Sequence, residues 1–245
     1  MTAAPKIGFD RFIELDWAAA AMRVRGRVSE MQELVDLIDA THSGLAAKKK
    51  TRTVLNRLWL EPRADLVGFA ERGIDLYRDA PYVPVQALCW GMAIAAYPFF
   101  GRVAEIVGRL TALQGDCASA EVHRRMVEAY GEREGTLRMT NMVLQTQASW
   151  GGIERTDKGK RLVRKPKQVL QDAKVAVWLV EACVRYSRKP LAVAMMDTNP
   201  IVYPFQFVNS LSYELSKSST LELRTDSISN QLVSLSEAIS DGNDA

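Results

Sequence analysis

The amino-acid sequence predicts a mainly α-helical protein that carries winged helix-turn-helix elements and a small β-hairpin wing. Apolar residues recur every three or four positions along most of the 245 residues, which is the period of an amphipathic helix. Glycines and prolines end these segments at short intervals. Three helical segments precede a stretch with a turn at Asp157-Lys158-Gly159, and this order is that of a winged helix-turn-helix.

The first predicted region, residues 1–80, is helical and contains a candidate helix-turn-helix. Ser29 and Gln32 have the spacing of a capping box before the second helix, and THSG at 41–44 ends that helix. The helices predicted here begin near Phe9 and Met31 and cover 45–60 and 64–78.

An uncharged segment, residues 80–101, has nearly the length of a membrane span. Pro84, Gly91 and Pro98 interrupt it, and its uninterrupted part, Val85 to Tyr97, is only 13 residues long. The sequence therefore favours a buried core helix over a membrane helix.

The second predicted region, residues 81–167, is the winged helix-turn-helix itself. Its first helix starts at Pro98 and has one apolar side. A short helix capped by Ser119 stops at Gly131, and a third helix, capped by Thr136, runs over 137–149. The apolar side of the first helix consists of Val103, Ile106, Val107, Leu110 and Leu113.

The third predicted region, residues 168–245, is helical with short strands as an open alternative. A helix is expected over 168–187, and 205–216 has a weaker helical pattern. Leucines and a valine between 221 and 235 fit either strands or a final helix.

Helix 137–149 presents a polar stripe to solvent. Arg138, Asn141 and Gln145 are three and four residues apart, so they lie on one side, and the core side holds Leu137, Leu144 and others. Arginine can bond guanine with two hydrogen bonds, and Asn or Gln can bond adenine in the same way. The alternative is an ordinary solvated helix face.

The hairpin that follows is strongly basic. Within 150–167 seven basic residues stand against two acidic ones, and DNA phosphates attract such a ribbon whatever the base sequence. The alternative is a strand edge that lysine protects from pairing. The candidate DNA-binding residues of the hairpin are Arg155, Lys158, Lys160, Arg161 and Arg164.

Helix 45–60 repeats this pattern more faintly. It follows a short helix, again in helix-turn-helix order, and one side is basic and polar. A plain basic surface helix is an equal alternative. The candidate DNA-binding residues here are Lys49, Arg52, Thr53, Asn56 and Arg57.

The distribution of charge favours a polyanionic partner. The net charge is only +3, but all 32 basic residues lie within 1–224 together with 25 of the 29 acidic ones, so this part carries +7. The remaining acidic residues form a tail that has no lysine or arginine.

No catalytic or cofactor motif is present in the sequence. It has no HExxH, GxGxxG, P-loop or GxSxG pattern, and its two histidines have no neighbouring carboxylate or cysteine cluster. Three cysteines far apart in sequence predict neither a disulfide framework nor a local metal site. We therefore expect no enzyme activity, no cofactor and no metal.

Four features of residues 45–165 resemble the BrxA family, small DNA-binding proteins of BREX phage-defence systems. They are the basic helix AAKKKTRTVLNRLW, the apolar segment QALCWGMAIAAYPFFGRVAEIVGRL, the segment YGEREGTLRMTNMVLQTQASWGGI, and the hairpin after it. The resemblance implies an all-helical fold with winged-helix elements, binding to double-stranded DNA, and no catalysis. It extends to no part of the C-terminal 80 residues.

The expected function is that of a non-catalytic accessory protein of an antiviral defence system that binds double-stranded DNA beside other subunits. A helical protein-interaction subunit and a transcriptional regulator are the alternatives. The start of the chain has no signal-peptide pattern, so we expect a cytoplasmic protein with no membrane partner.

Overall fold

Ten α-helices and eight short strands form the part of the chain that the computed structural model describes, residues 7–79, 83–207, 211–227 and 230–236. The mainly helical fold class is confirmed. The helices are α1 (Leu15–Arg25), α2 (Met31–Thr41), α3 (Leu45–Leu55), α4 (Val67–Asp79), α5 (Val85–Ala96), α6 (Pro98–Leu110), α7 (Ser119–Tyr130), α8 (Glu134–Ser149), α9 (Ala173–Ser187) and α10 (Leu211–Ser216). The strands are β1 (Asp116–Ala118), β2 (Ile153–Thr156), β3 (Arg161–Arg164), β4 (Gln168–Leu170), β5 (Leu191–Ala192), β6 (Phe205–Phe207), β7 (Leu221–Ser227) and β8 (Asn230–Leu235).

Helix α5 lies at the centre of the core. Nine of its twelve residues are buried, which confirms the prediction of a core helix. The Trp90 indole N–H donates to the carbonyl of Ile201 at 2.9 Å, so the buried ring leaves no unpaired donor. Gly91 lets the Trp178 ring of α9 come so close that an added Cβ would lie 2.3 Å from it.

Helix α6 follows α5 after a sharp bend. Pro98 occupies the first turn of α6, where its missing N–H costs no hydrogen bond, and the two helices are bent by 116°. Among the described residues no single helix is long and apolar enough to cross a membrane, and α5 with α6 meets that test only as this bent pair.

The strands form three small sheets among the described residues. Strand β3 lies between β1 and β2, both antiparallel to it. Strands β4 and β6 pair in parallel, and β8 lies between β5 and β7. The leucines and the valine between 221 and 235 thus lie in strands, the first of the two alternatives.

Several predicted helix boundaries were wrong. Helix α1 begins at Leu15, and α9 begins only at Ala173, because Asp172 caps it and β4 occupies the positions before. The segment 205–216 divides into β6 and α10. Leu113 lies beyond the end of α6 and is 96% exposed.

The predicted capping box before α2 was also wrong. Glu30 is the N-cap residue and its side chain makes no capping hydrogen bond, while the Gln32 amide donates to Asp36 instead. The acidic tail beyond residue 236 lies outside the described residues.

One continuous cluster of buried side chains, from Phe9 to Val233, joins the three regions that the sequence suggested. Glu181 of α9 fixes the C-terminal part to it. This carboxylate is 1% exposed and accepts hydrogen bonds from Arg72 at 2.6 Å, Arg185 at 2.9 Å and the Thr220 hydroxyl at 2.8 Å. Its negative charge is therefore compensated inside the protein.

Replacing Gly108 with alanine is expected to destabilise the fold by about 1–3 kcal/mol or more, because the new Cβ would lie 2.0 Å from the carbonyl oxygen of Pro200. Gly68 is the matched control: it is also helical, but its Cβ would meet only Arg72 at 3.6 Å. Gly68→Ala should gain up to about 1 kcal/mol from helix propensity. Urea unfolding measures both, and equal stability of the two variants would contradict the expectation.

Replacing Glu181 with glutamine is expected to cost about 3–5 kcal/mol, because Arg185, whose side chain is 6% exposed, would keep a buried charge without its partner. Glu71, whose side chain is 59% exposed and pairs with Arg25, is the control, and Glu71→Gln should cost at most about 1 kcal/mol. The free energies of urea unfolding decide this, and a small loss in both variants would refute it.

Candidate nucleic-acid interface

Helix α8 is held by a tight connection to α7. Only residues 131–133 join the two helices, and Gly131 has a φ of +85°, a conformation that glycine adopts without strain. Thr136 is not the N-cap as predicted: α8 begins at Glu134, and the Thr136 hydroxyl lies inside the helix and donates to the Gly131 carbonyl at 3.0 Å.

The outward side of α8 agrees with the predicted polar stripe. Arg138 is exposed, and Asn141 and Gln145 are half-buried. We call these three residues the α8 face. Leu137, predicted on the core side, is 46% exposed, because the buried side of α8 is centred on other residues. The buried residues of α8 are Thr136, Met139, Thr140, Val143, Leu144, Thr146 and Gln147.

Polar residues fix the C-terminal end of α8 to the start of the chain. The Thr146 hydroxyl accepts from the backbone N–H of Ile13 at 2.9 Å, and the Trp150 indole donates to the Ile13 carbonyl at 3.0 Å. The Ser149 hydroxyl accepts from the N–H of Leu15 at 3.2 Å. These contacts set the position of α8 against the N-terminal helices.

The predicted hairpin is present, with β2 and β3 in register from Ile153↔Arg164 to Thr156↔Arg161. Strand β1, which the sequence did not predict, adds a third strand beside β3. The N–H of Ser119, at the start of α7, donates to the Lys160 carbonyl at 2.8 Å. The hairpin is thus joined to the beginning of α7.

The tip of the hairpin is a turn in which consecutive residues have positive φ. Asp157 and Lys158 have φ values of 49° and 53°, a region that non-glycine residues occupy at a cost, and Gly159 has 83°. Lys158 and Lys160 are exposed, and among the described residues neither has an ion-pair partner. Both ammonium groups are available to an anion.

The three arginines of the hairpin make contacts with other residues of the protein. Arg155 donates to the Asn141 side chain at 2.8 Å, and Arg161 pairs with Asp116 of β1. Arg164 donates to the Gly108 carbonyl at 3.1 Å and lies over the Tyr203 ring. Burial lowers the pKa of Arg155 and of Arg164.

The second candidate surface is on α3 and its π-helical continuation, Asn56–Leu60. Lys49, Arg52 and Arg57 are exposed, Asn56 is half-buried, and the Thr53 hydroxyl donates to the Lys49 carbonyl at 2.9 Å. We call these five residues the α3 face. Among the described residues no ion pair involves its three cations.

Helix α2, beside α3, is acidic on its exposed side. Glu33, Asp36 and Asp39 are exposed, as is Glu30 before the helix, and no lysine or arginine belongs to α2. Lys48 of α3 pairs with Asp39 at 2.9 Å. The α3 face therefore borders negative charge, whereas the exposed side of α7 carries Arg124 and Arg125 beside its glutamates.

A pocket of about 210 Å³ lies between α6 and α7. Three arginines line it, but Arg102 and Arg109 both pair with Glu105, and Arg125 pairs with Glu121. The pocket has little uncompensated charge for an anion.

Within the described ranges, no three His, Cys, Asp or Glu side chains come together to hold a metal ion. Cys89 and Cys183 are buried, and burial raises the pKa of both thiols; that of Cys89 rises to about 12. Neither thiol has the exposed, electropositive surroundings of a reactive cysteine.

One exposed cation near the hairpin was not among the candidate residues. Lys165 follows β3, is exposed, and has no ion-pair partner among the described residues. Its backbone N–H donates to the Gly152 carbonyl at 3.2 Å, which holds it beside the end of α8. Lys165 is one of the seven basic residues counted within 150–167, so the sequence did contain a signal for it.

Comparison of the chain with protein-family models, with curated proteins and with solved structures found no match in any of the three.

Replacing Arg164 with alanine is expected to destabilise the protein by about 1–3 kcal/mol, because the buried Gly108 carbonyl loses its donor and the Tyr203 ring loses its cation. The salt dependence of DNA binding should not change. Urea unfolding and a salt titration of binding to a labelled duplex test both parts. Normal stability with a reduced salt dependence would show that Arg164 contacts phosphate instead.

Proposed function

We propose that this protein binds double-stranded DNA through a winged helix-turn-helix formed by α6, β1, α7, α8, β2 and β3. In this proposal α7 and α8 are the helix-turn-helix, α8 is the recognition helix in the major groove, and the hairpin is the wing. The observation that carries it is the direct connection of the α8 face to the basic hairpin, through the hydrogen bond from Arg155 to Asn141.

Charge favours the α8 face over the α3 face as the main DNA surface. The first helix of a helix-turn-helix crosses the DNA backbone. The two arginines of α7 pair with its two glutamates, so this helix carries no net charge, whereas α2 carries only acidic charges, which phosphate would repel. No acidic residue occurs between Thr136 and Gly152, so α8 itself repels no phosphate beyond its first turn.

The acidic α2 beside the basic α3 favours a second function for the N-terminal helices. A surface that carries both signs of charge fits a protein partner of complementary charge better than a uniform polyanion. The α3 face would then bind another subunit, which agrees with the alternative of a protein-interaction role. We propose that the protein works as a non-catalytic accessory subunit, and its place in a phage-defence system rests on the sequence resemblance alone.

Binding to a labelled duplex is expected to fall steeply with salt. If the protein neutralises about six phosphates, affinity should drop on the order of a thousandfold between about 50 and 200 mM salt. Replacing Lys158 and Lys160 with alanine should weaken binding to every sequence and reduce the salt slope by about one unit per lost contact. Fluorescence anisotropy at several salt concentrations measures both quantities.

The control replaces two exposed lysines outside the proposed surface, Lys174 and Lys189, with alanine. It lowers the net charge by the same amount as the replacement of Lys158 and Lys160. It should leave the salt slope nearly unchanged. An equal effect in both double variants would show that only net charge matters. Well-folded wild-type protein that does not bind DNA at 50 mM salt would refute DNA binding.

A further inference from the structure

The guanidinium group of Arg155 lies between three elements of the proposed DNA-binding surface. It belongs to β2, its Nη2 donates to Asn141 Oδ1 of α8 at 2.8 Å, and it lies under the hairpin turn. A Cβ added to Gly159 would lie 2.6 Å from Nη2, so the turn backbone passes directly over the guanidinium. Arg155 Nε is buried and has no hydrogen-bond partner among the described residues.

This contact fixes the orientation of the Asn141 amide. Arginine only donates hydrogen bonds, so the Asn141 atom that faces it must be the oxygen and not the nitrogen. The Nδ2 group, with its two hydrogens, is then the part of the amide that remains for other partners. A free asparagine has no such preference, because its amide can turn over.

The orientation matters because adenine and guanine differ at the same positions of the major groove. Adenine offers an N7 acceptor and an N6 amino donor, so asparagine binds it with both its oxygen and its nitrogen. Guanine offers two acceptors, N7 and O6. The guanidinium takes one of the two lone pairs of the Asn141 oxygen and holds that oxygen toward the hairpin, so the oxygen is less favourably placed for the adenine amino group, whereas the NH₂ group fits guanine.

We propose that Arg155 is a specificity-determining residue, which holds Asn141 so that its amide donates to guanine and discriminates against adenine. The inference rests on the proposed DNA-binding function and assigns a base preference to that surface. It also gives Arg155 a role that differs from the phosphate contact that the sequence suggested. The phosphate contacts then fall to the exposed Lys158 and Lys160.

The test is the base preference of the wild type and of Arg155→Met, selected from a pool of random duplexes. Methionine keeps an unbranched side chain but donates no hydrogen bond. The position that Asn141 reads is the one at which Asn141→Ala loses its preference. At that position the duplexes selected by the wild type should be enriched in guanine. With Arg155→Met the ratio of adenine to guanine should rise by about fivefold to a hundredfold, the usual range for one well-formed pair.

Lys158→Met is the matched control. It removes one positive charge from the same hairpin, but among the described residues Lys158 makes no hydrogen bond or ion pair with the α8 face. It should reduce the salt slope and leave the base preference unchanged. Thermal unfolding of each variant confirms that it is folded.

Gly159→Ala is a second variant that changes no charge. Its Cβ would displace the Arg155 guanidinium, and alanine at a φ of 83° would also strain the turn, so the variant should gain adenine at the position that Asn141 reads and lose some stability. Arg155→Met that behaves like Lys158→Met, with a lower salt slope and the original preference, would overturn the proposal. A wild type that already prefers adenine there, or shows no preference, would overturn it too while DNA binding stands. Folded wild-type protein without DNA affinity would instead overturn the proposed function, and the inference with it.

Discussion

Burial of the uncharged helix α5 is the constraint on which the other parts of the structure depend. Trp90, near its middle, packs against the rings of Phe100, Trp150 and Tyr203, with centroids 5.2–6.5 Å apart. Its indole N–H is bonded to the Ile201 carbonyl. A single side chain thus joins α6, the end of α8 and the C-terminal segment, so these elements cannot move independently without opening the core.

This packing explains how a protein made of short elements can present a defined surface. Strands β1, β2 and β3 have only three or four residues each, and a sheet of this size has little stability of its own. Helix α8 is fixed at its end by Trp150 and Thr146, and the hairpin is fixed to α8 by Arg155 and to α7 by Ser119. The geometry of the hairpin therefore depends on its attachment to helices that pack in the core, and not on the stability of its strands.

Local sequence signals predicted α6, α7, α8 and the hairpin, because a proline start, a glycine stop or a turn pattern acts within a few residues. The signals failed where the partner is distant in sequence. Strand β1 exists because β3 lies beside it some 45 positions later, and β4 exists because β6 does. Thr136 is not a cap, because a cap hydroxyl accepts from a backbone N–H, whereas the Thr136 hydroxyl lies inside the helix and donates to the Gly131 carbonyl.

The same limit applies to charge in the candidate site. Counting basic residues predicted a strongly cationic hairpin, but the side chains of Arg155, Arg161 and Arg164 each have a hydrogen-bond or ion-pair partner. Among the described residues the side chains of Lys158, Lys160 and Lys165 have none. Arginine's planar fork suits fixed internal contacts, whereas lysine is a strongly hydrated point charge that costs more to bury. On this physical ground the proposed phosphate contacts fall to the lysines, and Arg155 is the one of these three arginines whose hydrogen bond is to the neighbouring helix α8.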